Sequence, residues 1–256
     1  MLKVAIDAGH GLNTPGKRTP DDEREWKFND TVVLSFIKEL SLFKDVTIRR
    51  FDDPTGTRDV SLTERSDGAN QWGADIYISF HHNAYTGTWG DWSGVETYIA
   101  PIASTKSIEL ANAVHPSVVK GYGLRDRGIK RGDYHIIRET KMPAILIEGG
   151  FMDSRIDIVK LRDKSVLQNA GKLIAQAVAN HFKLIRKQTD TTPKAEETNK
   201  SNPQLLNDTA RKEAREEIKR AVADGRFSSK HPNVDNYDDK DLLSYALIAL
   251  LRFKNK

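Results

Sequence analysis

Two imidazoles and two carboxylates stand out because of where they fall in the hydrophobic pattern. His10 follows the first apolar run of the chain, His81 and His82 follow another at 75–80, and Glu148 closes a third at 143–147. If these runs are strands of an open α/β sheet, their carboxyl ends face one crevice, the place where such sheets bind ligands. Glu25 opens the helical stretch after the first run, behind a loop with Gly11, Pro15, Gly16 and Pro20 that can fold back over the same edge. Two histidines and one carboxylate make an established catalytic zinc shell, since borderline-soft zinc takes imidazole nitrogen and carboxylate oxygen and keeps a fourth position open. Such an ion acidifies a water and polarises a carbonyl, and the spare carboxylate takes the proton and delivers it to a leaving amine. The expected chemistry is metal-assisted amide hydrolysis. Alternation leaves open which of His81 and His82 binds, because both faces of a parallel sheet are covered.

These residues must be carried by regular elements. Apolar runs of strand length occur at residues 2–8, 45–51, 75–80, 94–100, 134–138 and 143–148. Between them, stretches 25–42, 61–72 and 105–121, and later 165–184, repeat apolar residues at three- and four-residue spacing. Strands alternating with helices predict an α/β domain over residues 1–184, with a mostly parallel twisted sheet flanked by helices. Residues 185–203 are rich in Lys, Thr, Glu, Asn and Pro and lack apolar content to bury, so a flexible linker is expected there. Beyond it, Leu206, Ala210, Ala214, Ile218 and Ala221 mark one amphipathic helix ended by Gly225, and 239–253 reads as a second. Residues 204–256 therefore read as a small all-α unit with too little core to stand alone securely, suited to docking, self-association or ligand binding.

Composition removes several classes. Among 256 residues there is no cysteine, which excludes disulfides, thiolate zinc sites, iron–sulfur clusters and cysteine nucleophiles, so a metal must be held by His, Asp or Glu. Lys and Arg total 40 against 36 Asp and Glu, and a net charge of +4 is too slight for a dedicated nucleic-acid binder. The beginning, MLKVAIDAGH, is a short β-like run without a secretory signal, and no stretch has the length of a membrane span.

Four blocks resemble the zinc-dependent N-acetylmuramoyl-L-alanine amidases of the amidase-3 type: Asp7-Ala8-Gly9-His10-Gly11, Glu25 with Asn29, Ser79-Phe80-His81-His82-Asn83-Ala84, and residues 142–151 around Glu148. The resemblance spans residues 1–184 and leaves the C-terminal unit outside. It implies the phosphorylase/hydrolase-like fold of these amidases, zinc (Zn2+) held by His10, Glu25 and His81, Glu148 as general base and acid, and no further cofactor. It implies cleavage of the amide between N-acetylmuramic acid and the L-alanine of the stem peptide in peptidoglycan. Arg65 and the strand with Glu96 also match recurring features; Arg65 is expected to make a surface ion pair, and His135, in the strand expected at 134–138, to sit in the core. Trp89 and Trp92, in a glycine-rich loop beside the ligand, suit either stacking on sugars or pinning of the loop.

The setting implied is a phage lysin or a sporulation-associated autolysin, made in the cytoplasm and acting on the wall after release, with the C-terminal helices binding a wall polymer or self-associating. Two other readings compete: a zinc peptidase acting on the stem peptide, and a non-catalytic wall-binding protein on the same fold. An intact Glu148 argues against the second, since a binder needs no proton shuttle.

Overall fold

The computed structural model describes residues 1–187, the helix at 208–223 and the single positions Val234, Tyr237 and Leu242. The chain divides into two compact units, Met1–Asp190 and Thr191–Lys256. In the first unit the order is β1 (Leu2–Ala8), α1 (Glu25–Leu40), β2 (Val46–Arg50), α2 (Leu62–Trp72), β3 (Ile76–Asn83), β4 (Val95–Ile99), α3 (Thr105–Tyr122), β5 (Asp126–Arg131), α4 (His135–Arg138), β6 (Ala144–Phe151), α5 (Ile158–Leu161) and α6 (Lys164–His181).

Six strands form one mixed sheet in the order β2-β1-β3-β6-β4-β5. All neighbours are parallel except β4 and β6, which run antiparallel. Strand alternation sorts the side chains into two layers. Val4, Ile6, Ile78, Phe80, Ile145 and Ile147 share one core with the apolar faces of α1, α3 and α6. Ala5, Tyr77, Ala144 and Leu146 face the other way, onto Ala69 of α2 and Ile136 and Ile137 of α4. This is the flanked α/β sheet expected from the sequence.

Two elements differ from the sequence reading. Residues 134–138, read as a strand from their β-branched pair, form the short helix α4 instead. The strand next to β4 is β5, whose sequence DRGIKR has a single apolar side chain larger than glycine and leaves little hydrophobic signal. After α6 the chain stays attached to the first unit through Lys187, with Lys44 N donating to Ile185 O and Lys187 N to Leu42 O.

In the second unit, α7 (Asp208–Ala223) lies where an amphipathic helix was expected. Ile218 and Ala221 on this helix share a small buried cluster with Val234 and Leu242. The helix expected at 239–253 lies outside the described residues except for Leu242, as does the expected linker beyond Lys187.

Candidate metal centre

The carboxyl ends of β1 and β3 and the first residue of α1 meet at one edge of the sheet. Gly9 N donates to Phe80 O, tying the end of β1 to β3, and the chain then turns at His10 with φ +66°. That left-handed backbone is uncommon for a non-glycine residue and directs the imidazole back over the sheet edge. Gly9 makes room for the second imidazole: a Cβ there would fall 2.0 Å from the His81 ring. His10 Nε2 stands 3.3 Å from Glu25 Oε2, and His81 Nδ1 stands 3.0 Å from Glu25 Oε1.

One donor atom from each of His10, Glu25 and His81 lies within 4.8 Å of the others, the group of this kind found among the described residues. Tetrahedral zinc with bonds of about 2.0–2.1 Å separates its donors by about 3.3 Å; the two imidazoles meet different oxygens of Glu25, and the three donors, within 4.8 Å of one another, are near enough to draw together around such an ion. His81 shares the sheet face of Tyr77 and Ser79, whereas His82 points to the opposite face, where its Nδ1 lies 2.7 Å from Asn29 Oδ1. Asn29 Nδ2 in turn donates to Gly9 O and to Glu25 Oε1, and His82 N also donates to Glu25. Asn29 and His82 therefore orient the carboxylate without contributing a donor to the cluster.

The charge states suit a cation. Burial opposes ionisation of Glu25, yet His10, His81 and the N–H of His82 together hold its carboxyl down at about 2. Burial lowers His10 to about 4 despite the pull of Glu25. Near neutral pH the site offers an ionised carboxylate and an unprotonated His10, the forms that bind metal. Burial opposes protonation of His81, but its hydrogen bond and charge interaction with Glu25 outweigh burial and raise it, so proton and metal compete for this imidazole.

Glu148 lies directly opposite His81 in the β3–β6 register, and a bulge between His81 and Asn83 marks the same spot. Its Oε2 is buried with no hydrogen-bond partner, and burial, reinforced by Glu25 and Glu96, pushes the carboxyl up to about 8. All four residues line a cleft of about 510 Å³ whose walls also include Leu62, Tyr134 and His135.

Arg65 departs from the surface ion pair expected of it. Its side chain is 2 % exposed and donates to Asp7 Oδ2, Ala8 O, His10 O and Val60 O at 2.9–3.0 Å. A guanidinium reaching both Ala8 O and His10 O brackets the turn that carries the first imidazole. Charges at positions 58, 64 and 65 hid this role, because a helix residue among charges reads as solvated. His135 is half-buried at the start of α4, lines the cleft and lies 3.2 Å from Ser66 Oγ, so it is a wall residue and not a core histidine. Glu96, opposite Glu148 in the β4–β6 register, was noted in sequence only as part of a recurring strand.

The family model of N-acetylmuramoyl-L-alanine amidase matches residues 4–180. The N-acetylmuramoyl-L-alanine amidase CwlM of Bacillus licheniformis is 34% identical over 186 residues, covering 72% of this chain and 70% of the relative. An endolysin of Bacillus phage SPP1 is 31% identical over 204 residues, covering 76% and 71% of the two chains. Among solved structures, an N-acetylmuramoyl-L-alanine amidase from Clostridium difficile 630 superposes with a TM-score of 0.66 at 31% identity, covering 71% of this chain and 97% of the other.

Proposed function

This chain belongs to the amidase-3 family of N-acetylmuramoyl-L-alanine amidases, and from that premise we propose a zinc-dependent cleavage of peptidoglycan in which His10, Glu25 and His81 hold the ion and Glu148 moves the proton. The bond cut is the amide between the lactyl group of N-acetylmuramic acid and L-alanine. The observation that carries this reading is the convergence of three metal-type donors next to a buried carboxyl that has no structural partner. When bound, the ion supplies Lewis-acid polarisation of the scissile carbonyl and a lowered water pKa.

The protein's own groups account for the rest. Glu148 Oε2 accepts a proton from the attacking water and returns it to the alanine nitrogen as the C–N bond breaks. The products are a lactyl carboxylate and a free amino terminus. In the metal-free protein burial pushes the Glu148 carboxyl up to about 8, and the positive charge of a bound ion would lower it toward the ionised form that a base needs, leaving it able to return the proton as an acid. Asn29 and the His82 N–H fix the rotamer of Glu25, and Arg65 fixes the His10 turn. Leu62, Tyr134 and Ile136 give one side of the cleft an apolar wall for the stem peptide. The C-terminal unit is assigned to attachment on a wall polymer or to self-association, with phage lysis or mother-cell lysis as the setting of the reaction.

The test is an end-group measurement on peptidoglycan digested by the full-length protein, with chelator and after zinc is restored. New L-alanine amino termini that disappear with chelator and return with zinc are the expected result. New termini at other stem-peptide residues would make the protein a peptidase. No new termini from several wall types would leave the wall-binding reading in its place.

A further inference from the structure

The aromatic loop after β3 had two uses open to it, stacking on sugar or pinning of the loop, and the structure divides them among its residues. Trp92 is a pin: its indole N–H donates to Asp153 Oδ1 at 2.8 Å. Trp89 packs on the core beneath the loop, with the Arg162 guanidinium 5.8 Å from its ring centroid. Asp153 Oδ2 accepts the backbone N–H groups of Tyr85, Thr86 and Gly87 at 2.8, 2.9 and 2.8 Å, and Asp153 is fully buried. Backbone bonds from Gly90 N to Asp153 O and from Arg155 N to Gly90 O close the far side. One buried carboxylate fixes both ends of the loop, so whatever the loop presents is held in place before a ligand arrives.

What it presents is Tyr85. The side chain is 74% exposed, and its ring stands against Trp92 at 5.1 Å between centroids. Thr86, Thr88 and Asp91 of the same loop are exposed as well, the two threonine hydroxyls bonded to each other and Asp91 paired with Arg155. An exposed aromatic side chain on a polar loop suits a pyranose, which offers a C–H face to the ring and hydroxyls to the polar groups nearby. The cleft itself differs in chemistry: its lining includes the exposed side chains of Leu62 and Tyr134 together with the charges of Lys17 and Asp59, a surface suited to peptide. Ala84 lines the cleft and Tyr85 follows it, four residues past His81, at most about 13 Å of extended backbone from that donor.

We propose that Tyr85, on the loop held by Asp153, is a glycan subsite that stacks on a sugar next to the one bearing the scissile amide. This deepens the amidase reading and rests on it. The test compares two substrates with the full-length protein: a soluble peptidoglycan chain of several disaccharides, and a single N-acetylmuramoyl-peptide. Tyr85→Ala is expected to raise KM for the chain about tenfold with kcat within about twofold, and to lower the preference for chain over single sugar by the same factor. Tyr85→Trp should restore that preference, because it keeps an aromatic face. Equal losses on both substrates, or no loss on either, would overturn the subsite. Failure of the unaltered protein to release L-alanine amino termini from either substrate would instead refute the amidase reading, and the subsite would fall with it.

Discussion

Glu148 on β6 and Glu96 on β4 face each other across the antiparallel pair, both buried, and their surroundings could hardly differ more. Glu96 Oε1 takes Arg127 Nε and Lys130 Nζ, each at 2.5 Å, while Oε2 accepts from Tyr98 and Asn83. Burial works against its charge, but these partners together hold its carboxyl below the usual range. Glu148 has an orphaned oxygen and is driven up. Residue type, burial and sheet position are shared, so none of them decides which carboxyl is available for chemistry. The partners decide it, since a satisfied buried charge is structural and an unsatisfied one is held at a cost that function must justify.

The largest effect expected from breaking this contrast comes at Glu148. Glu148→Gln should lower kcat about a thousandfold on soluble muramoyl-peptide while zinc content stays at one per chain, measured by elemental analysis. Substantial turnover in that variant would remove Glu148 from the proton path. The same substitution sharpens the comparison through stability. In the metal-free protein the Glu148 carboxyl titrates near 4.5 when unfolded and near 8 when folded, so the folded state binds the extra proton between those values. Its contribution is fully present below about 4.5 and is lost as pH rises through about 8. Glu148→Gln should therefore melt higher than the parent at about pH 9 and close to it at about pH 4.

Next in size is Arg65, a buried charge that, like Glu96, is fully engaged. Arg65→Lys replaces a planar fork that reaches Val60 O, Asp7, Ala8 O and His10 O with one ammonium of three donors, which cannot span all four, and should weaken zinc affinity about 10- to 100-fold, with kcat at saturating zinc recovering most of its value. Unchanged affinity by competition with a chromogenic chelator would show that the His10 turn holds itself. The smallest catalytic effect is expected at Glu96. Glu96→Gln should cost about 1–3 kcal/mol of stability by leaving Arg127 and Lys130 without their counter-charge, read as a lower urea midpoint, while turnover falls far less than with Glu148→Gln.

Much of the site was legible because its members sit where the hydrophobic pattern breaks. His10, His81 and Glu148 each stand at the end of an apolar run of strand length, and Glu25 starts a helix whose apolar spacing is plain. The preference for His81 over His82 came from the resemblance, and the structure assigns the two to opposite sheet faces. Strand direction is not readable from an apolar run, which is the same in either sense, and so the antiparallel pairing of β4 with β6 is visible only in the fold. β5 was missed because an edge strand needs little apolar content, and α4 was misread because two isoleucines suit a strand as well as a buried helical turn. The burial of Arg65 and Glu96 depends on partners 31 to 58 residues away, which no local pattern encodes.

Gly9 has no side chain and no charge, yet a single added methyl group would land against the His81 ring, 2.0 Å from its nearest atom. In a saturation screen of this segment for wall lysis, Gly9 should tolerate replacement as poorly as the histidine next to it. Inheritance of the reaction is thereby tied to a position that a search for reactive side chains would pass over.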